Sequence, residues 1–262
     1  MRFASLGSGS RGNSTLVQQG DTLLMIDNGF STKETDKRLL RLGVSGHDIS
    51  AILVTHEHAD HIGGVARYSK RYKIPVWASH GTAAAIENIE GLQRFNSHQS
   101  FKLGSIDVEP VPVPHDAREP TQFVFQSNEL KFGIMTDTGS ITQHMVDALN
   151  GCHALLLECN YDRDMLLNGA YPESLKRRVL GDWGHLDNQQ AIELLHQLET
   201  DELQHLVLAH ISEKNNSHER VLDSVSQAME CDRAWLKVID QNEGLAWCGL
   251  TANINSKETL HA

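Results

Sequence analysis

VTHEHADH, residues 54–61, places three histidines and one aspartate within the six positions from His56 to His61. A hydrophobic core has no use for that set. Imidazole and carboxylate are, however, the groups that hold first-row divalent metals. On a regular helix, side chains two apart diverge by about 200°, so His56 and His58 could not converge there. The apolar run AILV before them reads as a buried strand, so both histidines fall on the loop that leaves it. On such a loop they can meet at one ion while Asp60 and His61 turn to a second. Glu57 is expected to face away and to bond to nearby backbone.

Working outward, three more candidates stand where apolar strand-like runs end: His115 in VPVPHDA, Asp137 in FGIMTDTG and His210 in LVLAHIS. Each is the first strongly coordinating side chain after its run, so one rim of the sheets could gather them. Five histidines and two aspartates would serve two ions, with Asp137 as the natural bridge. Glu158, just after the run ALLL, is suited to accept a hydrogen bond from a ligand histidine.

Short strand-like runs (RFASL, STLVQQ, TLLMID) precede a helical pattern from Thr32 to Leu42, closed by Gly43. After the histidine block, residues 61–72 resume a helical period and IPVWAS is a strand. The middle is a series of strands with turn residues between them. Helical segments such as ITQHMVDALN, ESLKRRVL, NQQAIELLHQL and HERVLDSVSQAM then alternate with strands such as ALLLEC and HLVLAHI. Strands followed by helices, twice over, predict an α/β (α+β) chain of two packed sheets with helices outside.

The 262 residues, 40% of them hydrophobic, suffice for a sizeable core, with one domain over residues 1–250 and a polar tail over 251–262. A formal charge of −11 gives no long-range attraction to nucleic acid or anionic lipid, which argues against a sequence-reading DNA-binding protein. It says little about a nuclease, because two bound divalent cations would offset about four charges locally. No apolar run is long enough for a membrane span, and the polar N-terminus carries no secretory signal. The four scattered cysteines are expected to be free thiols in a reducing cytoplasm.

THEHADHIGG resembles the HxHxDH signature of the metallo-β-lactamase superfamily, and His115, Asp137 and His210 follow in the order of that family's later motifs. The resemblance runs to about residue 249. It implies an αββα sandwich, two mixed sheets flanked by helices, with a two-metal centre. By that pattern His56, His58 and His115 hold one ion, while Asp60, His61 and His210 hold the other. Asp137 and a hydroxide lie between them. Two-zinc β-lactamases have cysteine at the place of Asp137 and flavodiiron proteins have glutamate at that of His58, so neither activity is implied. SLGSGSRGNS near the start, GHLDN at 184–188 and HISEKNN at 210–216 are similar to the YycJ/VicX/WalJ branch, regarded as 5′→3′ DNA exonucleases. GHLDN also resembles the histidine loop of RNase Z, but no β-CASP-sized insertion or exosite arm is present.

A two-ion centre lowers the pKa of bound water and clamps phosphoryl oxygens, which suits a phosphodiester transition state. His185 is the candidate proton donor to the leaving oxygen, and Asp60 the residue that both holds a metal and orients the nucleophile. The loop from Ser8 to Ser14 can cradle phosphate, with Ser10, Arg11 and Asn13 as substrate contacts. Asn215 and Asn216 are candidates to contact substrate or fix the His210 loop. Lys176-Arg177-Arg178 reads as a solvated helix face. With no cysteine among the ligands, Zn²⁺ is expected, with Mn²⁺ or Fe²⁺ as alternatives. DNA is the expected partner, and a homodimer is left open. The rival readings are a thioester or lactone hydrolase of the glyoxalase II type, and a non-catalytic regulatory protein on the same scaffold.

Overall fold

The computed structural model describes residues 1–86 and 89–252. The expected polar tail therefore lies, from residue 253 on, outside the described residues. The strands open with β1 (Arg2–Gly7), β2 (Ser14–Gln19), β3 (Thr22–Ile26), β4 (Ala51–Val54), β5 (Val76–Ser79) and β6 (Gln93–Phe95). They continue with β7 (Phe101–Leu103), β8 (Ile106–Pro112), β9 (Thr121–Ser127) and β10 (Leu130–Met135). β11 (Ala154–Glu158), β12 (His205–Ala209), β13 (Lys237–Val238) and β14 (Leu245–Gly249) complete them. They form two mixed sheets of seven strands each, ordered β14-β1-β2-β3-β4-β5-β6 and β13-β12-β11-β10-β9-β8-β7. Helices flank the sheets, as expected.

The residues group into two compact units. The first comprises Met1–Pro112, Ala117–Asn128 and Ile239–Gly249; the second comprises Val113–Asp116, Glu129–Val238 and, among the described residues, 250–252. In the first unit, β1, β2 and β3 pair antiparallel, and β3, β4, β5 and β6 pair parallel. Every residue of β3 and β4 is buried, as parallel strands covered on both faces must be. Their core gathers Leu16, Leu23, Met25, Ile52, Val54, Val65 and Tyr68 with Leu39 of α1 (Thr32–Arg41). Ser31 starts α1 by accepting a bond from Glu34 N, which is why the helix begins where the pattern predicts.

The helical period over 61–72 is broken in two. α2 (Ala59–Ile62) is a single turn, and α3 (Val65–Tyr72) follows after Gly63 and Gly64. The reason is a close approach: a Cβ on Gly64 would lie 1.9 Å from the Phe30 carbonyl oxygen. α4 (His80–Ala85) completes this unit.

The second unit has a parallel ladder in register. Met135 of β10 lies beside Leu157 of β11, which lies beside Leu208 of β12. Around it run α5 (Gln143–Leu149), α6 (Arg163–Asn168), α7 (Glu173–Leu180), α8 (Asn188–Leu195) and α9 (His218–Ala228). Among the described residues no helix is long and apolar enough to cross a membrane. The four cysteines are free, as expected.

Candidate metal centre and active site

In the first unit the histidine block leaves the C-terminal end of β4. His56 is buried on the loop, and His58 forms the N-cap of α2. The ring nitrogens His56 Nε2 and His58 Nδ1 face each other at 3.0 Å. Within α2, Asp60 Oδ2 lies 3.5 Å from His61 Nε2. Glu57 accepts from Arg118 N at 2.9 Å, the backbone role the sequence suggested.

Asp27, the residue after β3, organises this cluster. Its carboxylate accepts from Thr55 N at 2.8 Å, from Thr55 Oγ1 at 2.7 Å and from His61 Nδ1 at 2.8 Å. Burial pushes the Asp27 carboxyl up, with His61 and Thr55 opposing. The single Thr55 hydroxyl proton goes to Asp27 Oδ2, so Thr55 Oγ1 accepts from His56 Nδ1, 2.9 Å away. Both His56 and His61 are thus protonated on Nδ1, which leaves the Nε2 lone pair to a metal, the usual division of labour in metal sites. Asn13 agrees with it: its Nδ2 lies 3.1 Å from His61 Nε2 and donates to Asp60 Oδ2 at 3.1 Å.

The second unit repeats the device. His115 is buried, and Nδ1 faces the Gly184 carbonyl at 2.9 Å. Burial first, then the neighbouring His185, lowers its pKa and favours the neutral form a ligand needs, while Asp137 opposes. Glu158, at the end of β11, receives His185 Nδ1 and His210 Nδ1 on Oε1, each at 2.8 Å. Its Oε2 accepts from Thr138 N at 3.2 Å and Leu186 N at 3.1 Å. Burial would raise this carboxyl, but His185 and then His210 hold it down at about 2. Donor atoms of Asp137, Glu158, His185 and His210 lie within 4.8 Å of one another. His210 Nδ1 is 3.5 Å and His185 Nδ1 3.9 Å from Asp137 Oδ1. His185 is followed by a capping box, Asp187 with Gln190, that starts α8.

Register explains the gathering. Asp137 and His210 come two and one residues after the ends of neighbouring parallel strands, and Glu158 ends the strand between them. Asp27, Asp137 and His210 adopt left-handed backbones (φ 58°, 53° and 53°), a conformation that costs a non-glycine residue about 1 kcal/mol or more and concentrates at functional sites. The donor set fits divalent metals: imidazoles, those of His56, His61, His115 and His210 with Nδ1 anchored, carboxylates, and no thiolate.

The expected substrate contacts divide. Ser10 and Arg11 are exposed, Arg11 N and Nη2 donating to Gln241 and Asn242. Asn13 is buried and turned inward; besides Asp60 it bonds Gly9 N, Gly9 O and Ser8 Oγ. Asn215 and Asn216 are also buried. Asn216 donates to Cys159 O and exchanges bonds with Asn188, so it fixes the His210 loop. In the basic run, Lys176 departs from the expected solvated face. It is buried because its ammonium reaches the Leu167 carbonyl at 2.8 Å, while Arg178 pairs with Asp116. Asp27 and Thr55 went unread in the sequence, although Asp27 follows an apolar run just as Asp137 does.

Residues 22–211 match a family model described as the beta-lactamase superfamily domain. The chain is 38% identical over 238 residues to the exodeoxyribonuclease YycJ of Bacillus anthracis, covering 88% of this chain and 89% of the relative. It is 32% identical over 239 residues to the exodeoxyribonuclease WalJ of Streptococcus pneumoniae serotype 2, covering 87% and 89%. Among solved structures, the metallo-β-lactamase fold protein YhfI of Bacillus subtilis matches with a TM-score of 0.73 at 13% identity, over 95% of this chain and 99% of that one. That last likeness speaks to fold alone. With its HxHxDH block, its two mixed sheets and these relatives, the chain belongs to the metallo-β-lactamase superfamily, in the branch of YycJ and WalJ.

Proposed function

We propose that this chain is a dinuclear metal-dependent phosphodiesterase acting on DNA as an exonuclease in the cytoplasm, with residues 1–250 as its hydrolase domain. By the family's pattern His56, His58 and His115 would hold one ion and Asp60, His61 and His210 the other, with Asp137 a ligand available to both. Zinc is the ion we assign, with manganese or iron as the alternatives. The observation that carries the phosphodiester reading is His185. It is an imidazole beyond the seven ligands, anchored on the same Glu158 oxygen as His210.

Bound divalent ions supply Lewis acidity toward phosphoryl oxygens and activate water at neutral pH. The chain's own residues do the rest. Asn13 Nδ2 holds Asp60 Oδ2, so this carboxylate keeps one orientation toward the reacting centre. His185 has Nδ1 directed at Glu158, which leaves Nε2 to carry a proton to the leaving alkoxide. Glu158, held well below the usual carboxylate range, stays ionised at neutral pH and holds this ring by Nδ1. The leaving oxygen of a nucleic-acid strand is a poor leaving group, so this donation carries more of the barrier than it would in thioester or lactone hydrolysis.

The test is a substrate panel with the metal-loaded protein: bis(p-nitrophenyl) phosphate, end-labelled single- and double-stranded DNA, S-lactoylglutathione and a homoserine lactone. Cleavage of the phosphodiesters, with mononucleotides released from DNA, is expected. Turnover of the thioester or lactone alone would refute the assignment. No turnover with metals bound would point to the non-catalytic reading.

A further inference from the structure

Among the described residues three large hydrophobic side chains are exposed: Leu40, Leu167 and Trp183. Trp183 stands apart because the backbone around it is pinned. On one side, Gly184 is buried; its N–H donates to Gly181 O at 2.8 Å and its carbonyl receives His115 Nδ1. A Cβ there would lie 2.2 Å from Val179 O and 2.4 Å from Arg178 O, so the chain at Gly184 is packed against the end of α7. On the other side, Asp182 O accepts from Ser140 Oγ at 3.2 Å, and a Cβ on Gly139 would lie 2.5 Å from Asp182 C. His185 N donates to Val179 O at 3.1 Å. Between these fixed points the indole is 63% exposed. The other tryptophans, Trp77, Trp235 and Trp247, are partly buried.

An indole left in water forfeits most of the burial that makes tryptophan useful to a fold. Held on a rigid turn, it keeps an apolar π-face at a fixed place. That place is two residues from His185, so the two Cα atoms are at most about 7 Å apart. Charge points the same way. At a net −11 the protein cannot rely on long-range attraction to draw in a polyanion. Stacking on an aromatic face requires no net positive charge and accepts any base.

We propose that Trp183 is a stacking platform for a nucleobase beside the phosphodiester that His185 serves. The inference rests on the nuclease reading above and adds to it the recognition of a base. Trp183 positions the strand through its base, and a sugar-phosphate chain without bases is a poor substrate for that reason.

The experiment compares an oligodeoxynucleotide with an abasic oligomer of equal length, using wild type, Trp183→Ala and Trp183→Phe with metals loaded. Wild type should show a KM for the abasic oligomer about fivefold to a hundredfold above that for the base-bearing one, the range of one stacked base. In W183A that ratio should collapse toward one through a rise in the KM for the base-bearing strand, and W183F should restore most of it. Oligodeoxynucleotide should also quench wild-type tryptophan fluorescence saturably, and W183F should lose that quenching. An unchanged KM ratio in W183A overturns the proposal, as does an equal loss on both oligomers that phenylalanine does not rescue. Were wild type to cleave neither oligomer, the nuclease reading would fall. The platform would then stand or fall on the quenching: saturable quenching lost in W183F supports it, and none overturns it. Self-association that W183A abolishes, without any response to oligonucleotide, would make the face a contact between copies and also overturn it.

Discussion

Replacing Glu158 with glutamine keeps the shape of the side chain and removes one acceptor oxygen, which makes it a sharp test of how the second unit prepares its histidines. Four donors converge on the carboxylate: two imidazole Nδ1 atoms at 2.8 Å on one oxygen, and Thr138 N and Leu186 N on the other. In Glu158→Gln the amide group must face one pair. If it faced the backbone N–H groups, two buried donors would lose their acceptors at about 1–3 kcal/mol each. Imidazoles can change tautomer, whereas backbone cannot, so the amide should turn to His185 and His210. Each ring then accepts at Nδ1 and carries its proton on Nε2, the nitrogen proposed for the metal at His210. The exchange of charge-assisted for neutral bonds should cost the metal-free protein roughly 1–2 kcal/mol, a few degrees in Tm for a chain of this size. The larger effect is on metal: affinity should fall about 10- to 100-fold, as when the partner of a ligand histidine is removed. Competition against a chelator of known affinity, with elemental analysis of the retained metal, measures this. An E158Q protein that folds and keeps wild-type metal affinity would refute the anchoring scheme.

Asn13→Ala removes the donor to Asp60 Oδ2 and the acceptor of Gly9 N. It should cost about 1–3 kcal/mol and weaken metal binding, so an N13A protein that melts and binds metal as wild type does would return Asn13 to a direct substrate role. Gly29→Ala would put a Cβ 1.8 Å from Asp60 O and 2.8 Å from Gly12 Cα, both backbone atoms. Denaturant unfolding should show a loss of at least about 1–3 kcal/mol, while Gly249→Ala, with nothing within 4 Å of its Cβ, serves as the control. His185→Ala should retain both metals and slow cleavage sharply, least for p-nitrophenyl esters; equal slowing for good and poor leaving groups would count against proton donation.

The fold was legible because its parallel strands are continuous apolar runs, and the candidate site because its coordinating side chains follow such runs. The first coordinating residue after each run leads to His56, His115, Asp137 and His210. The same rule leads to Glu158, whose place behind a ligand histidine the sequence suggested, and to Asp27, where the sequence falls silent. A carboxylate that faces an ion and one that faces the back of a histidine ring look alike as letters. Geometry sets Asp27 behind His61 and shows which rings Glu158 serves, His185 and His210. Loop polarity leaves the role open for a related reason. Asn13 reads as a substrate contact, and Asn215 and Asn216 as substrate contacts or as ties for the His210 loop; buried loops must satisfy their own backbone first, and all three side chains are buried. Lys176 looks solvated until the Leu167 carbonyl that receives its ammonium is known. The break in the helix after Ile62 depends on the Phe30 carbonyl, more than thirty positions away in the chain.

One carboxylate oxygen shared by two imidazoles has a further consequence for how the chemistry is organised. Glu158 Oε1 sits 2.8 Å from both His185 and His210, so the proposed proton donor and a proposed metal ligand draw on the same negative charge. If a metal takes the lone pair of His210, that ring becomes a stronger donor at Nδ1 and claims more of Oε1. His185 then shares the carboxylate with a stronger competitor. The two imidazoles are therefore coupled through a single atom, so a change at either ring is felt at the other. The position of Glu158 enforces the coupling, because the side chain is fully buried and Oε2 is engaged by two backbone N–H groups.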